Sequence, residues 1–324
     1  MASKKGPTLA TLKRILSRQT ISRFGDEYVP SILATPAEAP SSSWAVTLRS
    51  PKFNRDIHTL SLNEKKVALR LLYHPDLLDI HEQKMLSTTP KENPVVGFPG
   101  TVSRQLPPIR GVVDVAERLG YLKYLHYLRV PDDKDPTLIR RIPYPYIGDF
   151  LIFMGENHHI QCRNLTVKES AKDFKRPYSD SHSCASTKEI DKALARHEIE
   201  HIYHADASIP TIQVAGNQLN EDVSCNLNQL FLYQRRSVLI VKDQHLEIEE
   251  KFKHAMTIGI PPLEIVTWAY ARFNLPPDKA RTILYQAIWQ RRIRVDLYTP
   301  ILINHPLNPE QKDVIDEHSN WFGK

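Results

Sequence analysis

The chain has 324 residues, of which 41% are hydrophobic and 25% charged, with a formal net charge of +6 and a pI of about 9.0. This composition supports a packed core and excludes a disordered chain, and the length favours two domains because single cores rarely exceed ~250 residues. The basic balance permits binding to nucleic acid or another anionic surface without establishing either.

The three cysteines, Cys162, Cys184 and Cys225, include no close pair and no metal-binding knuckle. An odd count of this kind favours a reduced, cytoplasmic setting. The longest apolar runs are as short as Val-Leu-Ile-Val at 238–241, so no transmembrane helix is expected. The N-terminus is basic but lacks an apolar segment, so no secretory signal is expected either.

Residues 1–23 contain six Lys or Arg and no acidic residue. They are predicted to form either a flexible tail or a basic helix that contacts phosphates as an arm. Residues 30–51 are rich in Pro, Ser and Ala, which is typical of an extended connector. The expected division is an arm and connector over 1–45, a main domain over 46–245 and a smaller domain over 246–324.

A helix is predicted over residues 61–74, because Ser61 and Glu64 form a capping box and apolar residues follow at helical spacing. Residues 77–83, Leu-Leu-Asp-Ile-His-Glu-Gln, are predicted to be a strand. Residues 87–112 are punctuated by Pro and Gly, which indicates a loop.

Residues 112–128 have a helical period, and a loop is expected over 133–146. Strands are predicted over 148–154 and 159–168. They flank the turn signal Gly-Glu-Asn at 155–157, so the pair is expected to form a β-hairpin.

A long helix is predicted over 186–205, starting at a second capping box formed by Ser186 and Glu189. A strand over 209–216 and another helix over 220–236 follow. These elements follow one another in an α/β order.

The pattern changes after about residue 250. Helices are predicted over 261–273 and 276–292, followed by two short strands within 293–304, an order that suits a winged helix. Four arginines on or just after the last helix are candidates for contacting DNA: Arg281, Arg291, Arg292 and Arg294. A solvated basic face on a small helical domain is the alternative interpretation.

The first candidate for chemistry combines Glu64 on its helix, Asp149 at the start of a strand and Lys168 at the end of the next strand. A hairpin can bring Asp149 and Lys168 to one end of a sheet, and a packed helix can add Glu64. Two carboxylates and a strand-end carbonyl form the oxygen-rich site that Mg²⁺ prefers. The lysine could then orient or deprotonate a water, or neutralise developing charge, during phosphodiester cleavage.

The second candidate is the motif His-Glu-x-x-His, formed by His197, Glu198 and His201. Histidines four residues apart on a helix share a face and can bind zinc, with Glu198 activating a water. No third ligand follows at the expected place, and both histidines could instead line a partly buried helix face. A zinc peptidase is therefore kept as an alternative function.

A set of short motifs, in this order, resembles TnsA, the endonuclease subunit of heteromeric cut-and-paste transposons. The resemblance covers roughly residues 22–235. The motifs are Tyr-x-Pro at 28–30, Pro-Ser-Ser at 40–42, His-x-Leu-Ser-x-x-Glu at 58–64, Asp-Ile-x-Glu-Gln at 79–83, Asp-Phe-Leu at 149–151 and Val-Lys at 167–168.

The resemblance implies a restriction-endonuclease-like core with a mixed sheet, followed by a C-terminal winged-helix domain. Glu64, Asp149 and Lys168 fall on the catalytic positions of the family, and Val167 would offer its carbonyl to the metal. Glu200 matches a further acidic position on a Glu-x-x-Tyr helix.

The implied function is cleavage of the 5′ strands at transposon ends in the bacterial cytoplasm, with Mg²⁺ as cofactor and Mn²⁺ as its substitute. DNA, a TnsB-type transposase and a TnsC-type ATPase are the implied partners. The alternative within the same resemblance is a non-catalytic DNA-binding adaptor on a degenerate nuclease fold.

The chain departs from the family pattern in several places. Thr166 stands where the family often has Gln, two residues before the lysine, and His74 stands where an acidic residue is sometimes found. A register using residues 161–163 is disfavoured because Arg163 cannot act as a base. The segment over 87–147 is longer than usual and is a candidate for an added surface.

Overall fold

The computed structural model contains two compact units, each with its own set of elements. It describes residues 7–101, 105–132, 135, 137–156, 159–175 and 187–323. The first unit takes the described residues within Met1–Lys65, Asp76–Gln218 and Asn320–Phe322. The second takes those within Lys66–Pro75, Leu219–Ser319 and Gly323–Lys324.

The first unit contains strands, helices and short 3₁₀ turns in alternation. Its helices and strands are α1 (Leu9–Gln19), β1 (Val46–Ser50), β2 (Arg55–Thr59), the start of α2 (Leu62–Tyr73), β3 (Leu77–Met85), α3 (Val112–Arg118), β4 (Tyr127–Pro131), β5 (Ile139–Pro143), β6 (Ile147–Glu156), β7 (His159–Lys168), α4 (Thr187–Ala205) and β8 (Thr211–Ala215).

Its centre is a four-stranded mixed sheet in the order β3-β6-β7-β8. The β3–β6 and β6–β7 pairs are antiparallel, and β7 pairs with β8 in parallel. The predicted mixed sheet, the strand at 77–83 and the hairpin of β6 and β7 are therefore confirmed, with residue 157 of the turn outside the described residues. Because α4 joins the two parallel strands, it lies between β7 and β8 in the chain, as a crossover connection requires.

Strand β6 lies inside the sheet, between β3 and β7, and forms part of the core. Its residues from Phe150 to Met154 are all buried, so both faces of the strand are covered, as an unbroken apolar run indicates. Helix α4 buries Ala195, Ile199 and Tyr203, which recur every four residues on one face. Leu194 of the same helix is 42% exposed. Ser186, the predicted cap of this helix, lies outside the described residues.

The segment before β1 is folded onto the first unit where it is described. Helix α1 is capped by Thr8 and buries Leu12 and Ile15. Arg18 pairs with Glu38 at 2.7 Å, which ties the helix to the segment predicted as an extended connector. The first unit thus includes this arm, and the chain changes unit near Gln218 rather than at residue 245.

Two local predictions in the middle of the chain are wrong. The helical period over 112–128 yields only α3, and its last two residues belong to β4. The loop expected over 133–146 contains strand β5, which pairs with β4 in a separate two-stranded sheet. Tertiary pairing overrides local propensity here, as it often does in short strands.

The second unit is helical in the part of the chain that is described. Its elements are residues 66–73 of α2, then α5 (Glu221–Tyr233), α6 (Lys242–Thr257), α7 (Pro262–Phe273), α8 (Pro277–Trp289) and α9 (Val314–Glu317); α10 (Ser319–Phe322) closes the chain. The predicted helices over 220–236, 261–273 and 276–292 are confirmed, each slightly shorter than expected.

The two strands predicted within 293–304 are wrong. Among the described residues this region forms only an isolated bridge between Val295 and Pro309. Buried Asn226 holds the loop instead, donating to the carbonyls of Leu297 and Thr299 and accepting from the Ile301 amide at 3.1 Å. The backbone groups are thus satisfied by a side chain in place of a strand partner.

The described helices were also searched for membrane-spanning segments. None of them is long and apolar enough to cross a membrane.

Candidate active site at one edge of the mixed sheet

Glu64 is fixed by the start of α2. The Ser61 hydroxyl accepts a hydrogen bond from the Glu64 amide at 3.1 Å and donates to its Oε1 at 2.9 Å. Oε2 accepts from the Leu60 amide at 2.8 Å. The predicted capping box is thus present in modified form, because the carboxylate accepts from the backbone amide of Leu60 rather than from that of Ser61. The side chain is 8% exposed, so it points into the unit rather than into bulk water.

Asp149 and Lys168 meet at one end of the β6–β7 hairpin. Phe150 pairs with Leu165, so Asp149 comes alongside Thr166. Oδ2 of Asp149 accepts from the Val167 amide at 2.6 Å and from the Thr166 hydroxyl at 3.4 Å. Lys168 ends β7 at this same edge, which is the arrangement that the hairpin was predicted to produce.

By contrast, Arg163, the cation of the disfavoured register, pairs opposite Ile152, farther along the strand from Asp149. Cys162 beside it is buried, and burial raises the pKa of its thiol. This cysteine packs, as expected for an apolar strand position.

The pKa of Glu64 depends on the charges of Asp149 and Lys168. Burial, and then the charge of Asp149, raise the pKa of Glu64 from its ordinary 4.5 to about 7. The charge of Lys168 acts in the opposite direction on the same carboxyl. Because nearby charges shift a pKa only at short range, Asp149 and Lys168 both lie close to the Glu64 carboxyl.

Gln83 is a further member of this site. Its side-chain amide donates to Oε2 of Glu64 at 2.9 Å, and the residue is 4% exposed. Its backbone has φ +49°, a left-handed conformation inside strand β3 that is unfavourable for most residues other than glycine and asparagine.

The surroundings of Gln83 hold this conformation in place. The preceding Glu82 is fully buried and paired with Arg55 at 2.8 Å, and its carbonyl accepts from the Tyr28 hydroxyl at 2.7 Å. The Gln83 carbonyl accepts from the Ser31 amide at 3.1 Å. Such strain persists only where neighbours enforce it, and it concentrates at functional sites.

Glu200 approaches the site from α4. It is 2% exposed and accepts from the Asn164 side chain at 3.1 Å. Burial raises the pKa of Glu200, Arg196 lowers it, and Asp149 raises it further. Beside it opens a cleft of about 360 Å³, lined by Thr166, His197, Glu200, His201, Thr211 and Gln213.

The side chains of the His-Glu-x-x-His motif lie in two different environments. His197 and His201 line the cleft, while the Glu198 carboxylate accepts from the Tyr121 hydroxyl at 2.7 Å. Burial, Lys168 and Arg196 lower the pKa of His197 to about 4, so its ring is neutral at pH 7. Its ring also packs edge-on against Phe174, which gives it a structural role.

Three of the four arginines predicted to contact DNA form ion pairs inside the second unit. The pairs are Arg291 with Asp313 at 2.5 Å, Arg292 with Glu249 at 2.9 Å, and Arg294 with Asp313 at 2.8 Å and with Glu310. Arg281 is half-buried and forms no ion pair with the described carboxylates. The assignment of these side chains to DNA stays a prediction.

The acidic residues at the sheet edge differ in how fully their oxygens are bonded, because both oxygens of Glu64 accept protein donors. Both hydrogen bonds of Asp149 go to Oδ2, so Oδ1 accepts none from the described residues. Within those residues no group of three or more His, Cys, Asp or Glu is placed to hold a metal. An ion here would therefore depend on Glu64, Asp149 and a main-chain oxygen such as that of Val167.

Sequence reasoning missed Gln83 and Asn164. Gln83 belongs to the Asp-Ile-x-Glu-Gln motif, but a positive φ in a strand has no signature in a single sequence. Asn164 is a buried polar residue on β7, and the sequence around it, Arg163-Asn164-Leu165, contains no pattern that marks it.

In comparison with known proteins, no family model and no curated protein matches this chain.

Proposed function

We propose that the chain is a metal-dependent DNA endonuclease with a restriction-endonuclease-like core. Its expected role is that of TnsA-type proteins, cleavage of the 5′ strands at transposon ends beside a TnsB-type transposase and a TnsC-type ATPase. In this proposal the helices α6 to α8 act as a DNA-contacting domain related to winged helices, although its wing is a loop.

The observation that carries the proposal is the convergence of Glu64, Asp149 and Lys168 at one sheet edge. Asp149 and Lys168 lie far from Glu64 in the chain, yet their charges act on the Glu64 carboxyl. Burial and Asp149 together raise the pKa of Glu64 to about 7. A buried, perturbed carboxyl beside a second carboxylate and a lysine favours a catalytic site over a structural one.

Each residue has a definite task in this chemistry. Glu64 and Asp149 hold the cation through their carboxylates, and the Val167 carbonyl completes the protein ligands. When bound, Mg²⁺ would polarise the phosphodiester and stabilise the leaving oxygen. Lys168 has no carboxylate within ion-pair distance among the described residues, so its ammonium group is available to orient a water or a phosphate oxygen.

The decisive experiment measures strand cleavage by Glu64→Ala, Asp149→Ala and Lys168→Ala in a reconstituted excision reaction. Each change is expected to lower 5′ cleavage at least about a hundredfold, the scale of losing one electrostatic stabiliser. Glu92→Ala and Lys192→Ala remove one exposed charge each in the same unit and serve as matched controls. Full cleavage by Asp149→Ala would refute the assignment.

The second candidate is a DNA-binding adaptor without catalysis. Two observations favour it: Thr166 replaces a residue common in the family, and protein donors already bond both oxygens of Glu64. Calorimetric titration with Mn²⁺ separates the two functions. An endonuclease binds the ion in an Asp149-dependent manner, whereas an inactive scaffold binds none at these carboxylates.

A further inference from the structure

The β4–β5 hairpin carries two arginines that face each other across the strands. Arg129 pairs directly opposite Arg141, with Val130 opposite Arg140 beside them. Because directly opposed residues of an antiparallel pair project on the same side, the two guanidinium groups share one face of the hairpin. Both side chains are exposed.

Like charges in this position destabilise a strand pair unless an anion balances them. Arg140, on the other face, has Asp132 at 3.4 Å. Neither Arg129 nor Arg141 has a carboxylate partner among the described residues, and Arg141 instead lies over the Tyr127 ring at 4.6 Å. This face therefore presents two positive charges that no carboxylate among the described residues pairs with.

The base of the hairpin is attached to the edge of the sheet that bears the candidate active site. The Tyr144 amide donates to the His126 carbonyl at 2.8 Å, which extends the ladder towards the sheet. The Leu86 amide then bonds the Tyr146 carbonyl at 2.9 Å, and Arg196 of α4 donates to the Ile147 carbonyl at 2.9 Å.

Strand β6 begins at Ile147, two residues before Asp149. The hairpin therefore leaves the sheet at the same end as Asp149 and Lys168, with three residues, 144–146, between β5 and β6. Its five-residue strands reach about 14 Å from base to tip.

We propose that this hairpin is a DNA-backbone clamp, in which Arg129 and Arg141 bind phosphates of the duplex whose scissile bond lies at Asp149. The inference rests on the proposed endonuclease function and adds a substrate-binding surface to it. Guanidinium groups suit phosphate because their planar donors bond two oxygens at once.

The exposed apolar residues at the tip of the hairpin also favour DNA as the bound partner. Leu138 and Ile139 are each 59% exposed where the strands turn. Apolar side chains beside arginines are a recurrent way for proteins to enter a DNA groove. A protein partner would use the same apolar pair without needing the opposed arginines.

The test compares DNA binding by Arg129→Gln/Arg141→Gln, Arg129→Lys/Arg141→Lys and the wild type. The probe is a fluorescein-labelled duplex of about thirty base pairs, titrated by anisotropy at several salt concentrations. Each lost phosphate contact removes about 0.9 from the slope of log affinity against log salt. The glutamine pair should therefore lower that slope by about 1.8, and the lysine pair should restore most of it.

Arg110→Gln/Lys192→Gln removes two exposed positive charges elsewhere in the same unit and is the matched control. A glutamine pair with the slope and affinity of this control would overturn the clamp, whatever the cleavage rate. Cleavage is measured in parallel in the reconstituted excision reaction, with the partner proteins present. If the glutamine pair loses DNA binding and the wild type shows no cleavage, the DNA-binding role of the hairpin is supported and the endonuclease function is rejected.

Discussion

Glu64 shows how one side chain can serve both local folding and chemistry. Its carboxylate stabilises the start of α2 through Ser61 and Leu60, and it also lies within the field of Asp149. The capping bonds fix its position, while burial and Asp149 make its ionised form unfavourable. In this arrangement a bound cation would supply the missing positive charge.

A first prediction concerns stability against pH. Because the pKa of Glu64 is raised to about 7 in the folded chain, its contribution is full below about 4.5 and is lost as the pH rises through 7. In metal-free protein, Glu64→Gln should therefore increase the free energy of unfolding at pH 8 by up to about 3 kcal/mol. Urea denaturation at pH 8 and pH 4.5 measures this. An equal difference at both values would contradict the buried titration.

A second prediction separates the backbone of Gln83 from its side chain. Gln83→Gly should be more stable than Gln83→Ala by about 1 kcal/mol, because glycine, unlike alanine, relieves the positive φ. Both changes remove a donor to ionised Glu64, which raises the pKa of that carboxyl further. The pH midpoint of Mn²⁺ binding should therefore move upwards in both variants, as calorimetry can measure.

Gln83→Asn is the informative control, since asparagine tolerates this backbone but its amide is one methylene shorter. It should match Gln83→Gly in the Mn²⁺ profile. An unchanged midpoint in all three variants would make Gln83 a packing residue only.

At the scale of elements, the site depends on how closely the end of β8 approaches the start of α2. A Cβ on Gly216 would lie 2.2 Å from Cγ of Asn63, the residue before Glu64. Asn63 itself donates to Glu169 at 3.2 Å, just after Lys168. Glycine is thus required by the close contact rather than by its backbone angle.

A third prediction follows from that contact. Gly216→Ala should destabilise the chain by about 1–3 kcal/mol, because the first turn of α2 must shift to relieve the overlap. Mn²⁺ affinity should fall with it, since Glu64 moves together with the turn. Adding Asn63→Gly should recover part of both losses. Thermal unfolding and calorimetry of the single and double variants measure the coupling, and strict additivity would argue against it.

At the scale of the whole molecule, the two units do not divide the chain in a simple order. Residues 66–75 count with the second unit although residues on both sides belong to the first. Within the second unit, Arg70 donates to the Asn220 carbonyl at 2.9 Å and to the Ser224 hydroxyl at 3.1 Å. Tyr73 packs against Trp289 with ring centroids 5.5 Å apart.

A fourth prediction concerns a shortened chain that ends at Gln218. It would keep every described strand but lose Trp289 beside Tyr73 and the Asn220 and Ser224 acceptors of Arg70, so the guanidinium would keep only the Lys66 carbonyl. We expect it to unfold at a lower temperature than the full chain and to aggregate. Circular dichroism melting with light scattering measures this. A monomeric melt at the temperature of the full chain would show that α2 does not need the second unit.

The sequence by itself determined the elements whose signals are local. Apolar spacing and the Ser61–Glu64 pair predicted α2, and two strand-like segments around a turn signal predicted the β6–β7 hairpin. That hairpin alone was enough to bring Asp149 and Lys168 to one edge, because antiparallel pairing is set by neighbouring segments. The three candidate catalytic residues were thus within reach of sequence reasoning.

Only the tertiary structure decided the features that depend on distant partners. Strand β5 exists because β4 pairs with it, and residues 297–301 stay a loop because Asn226 satisfies their backbone groups. The positive φ of Gln83 and the perturbed pKa of Glu64 likewise arise from neighbours that are far away in the chain. Local periodicity carries no record of such contacts, because the free energy that favours them appears only when the segments meet.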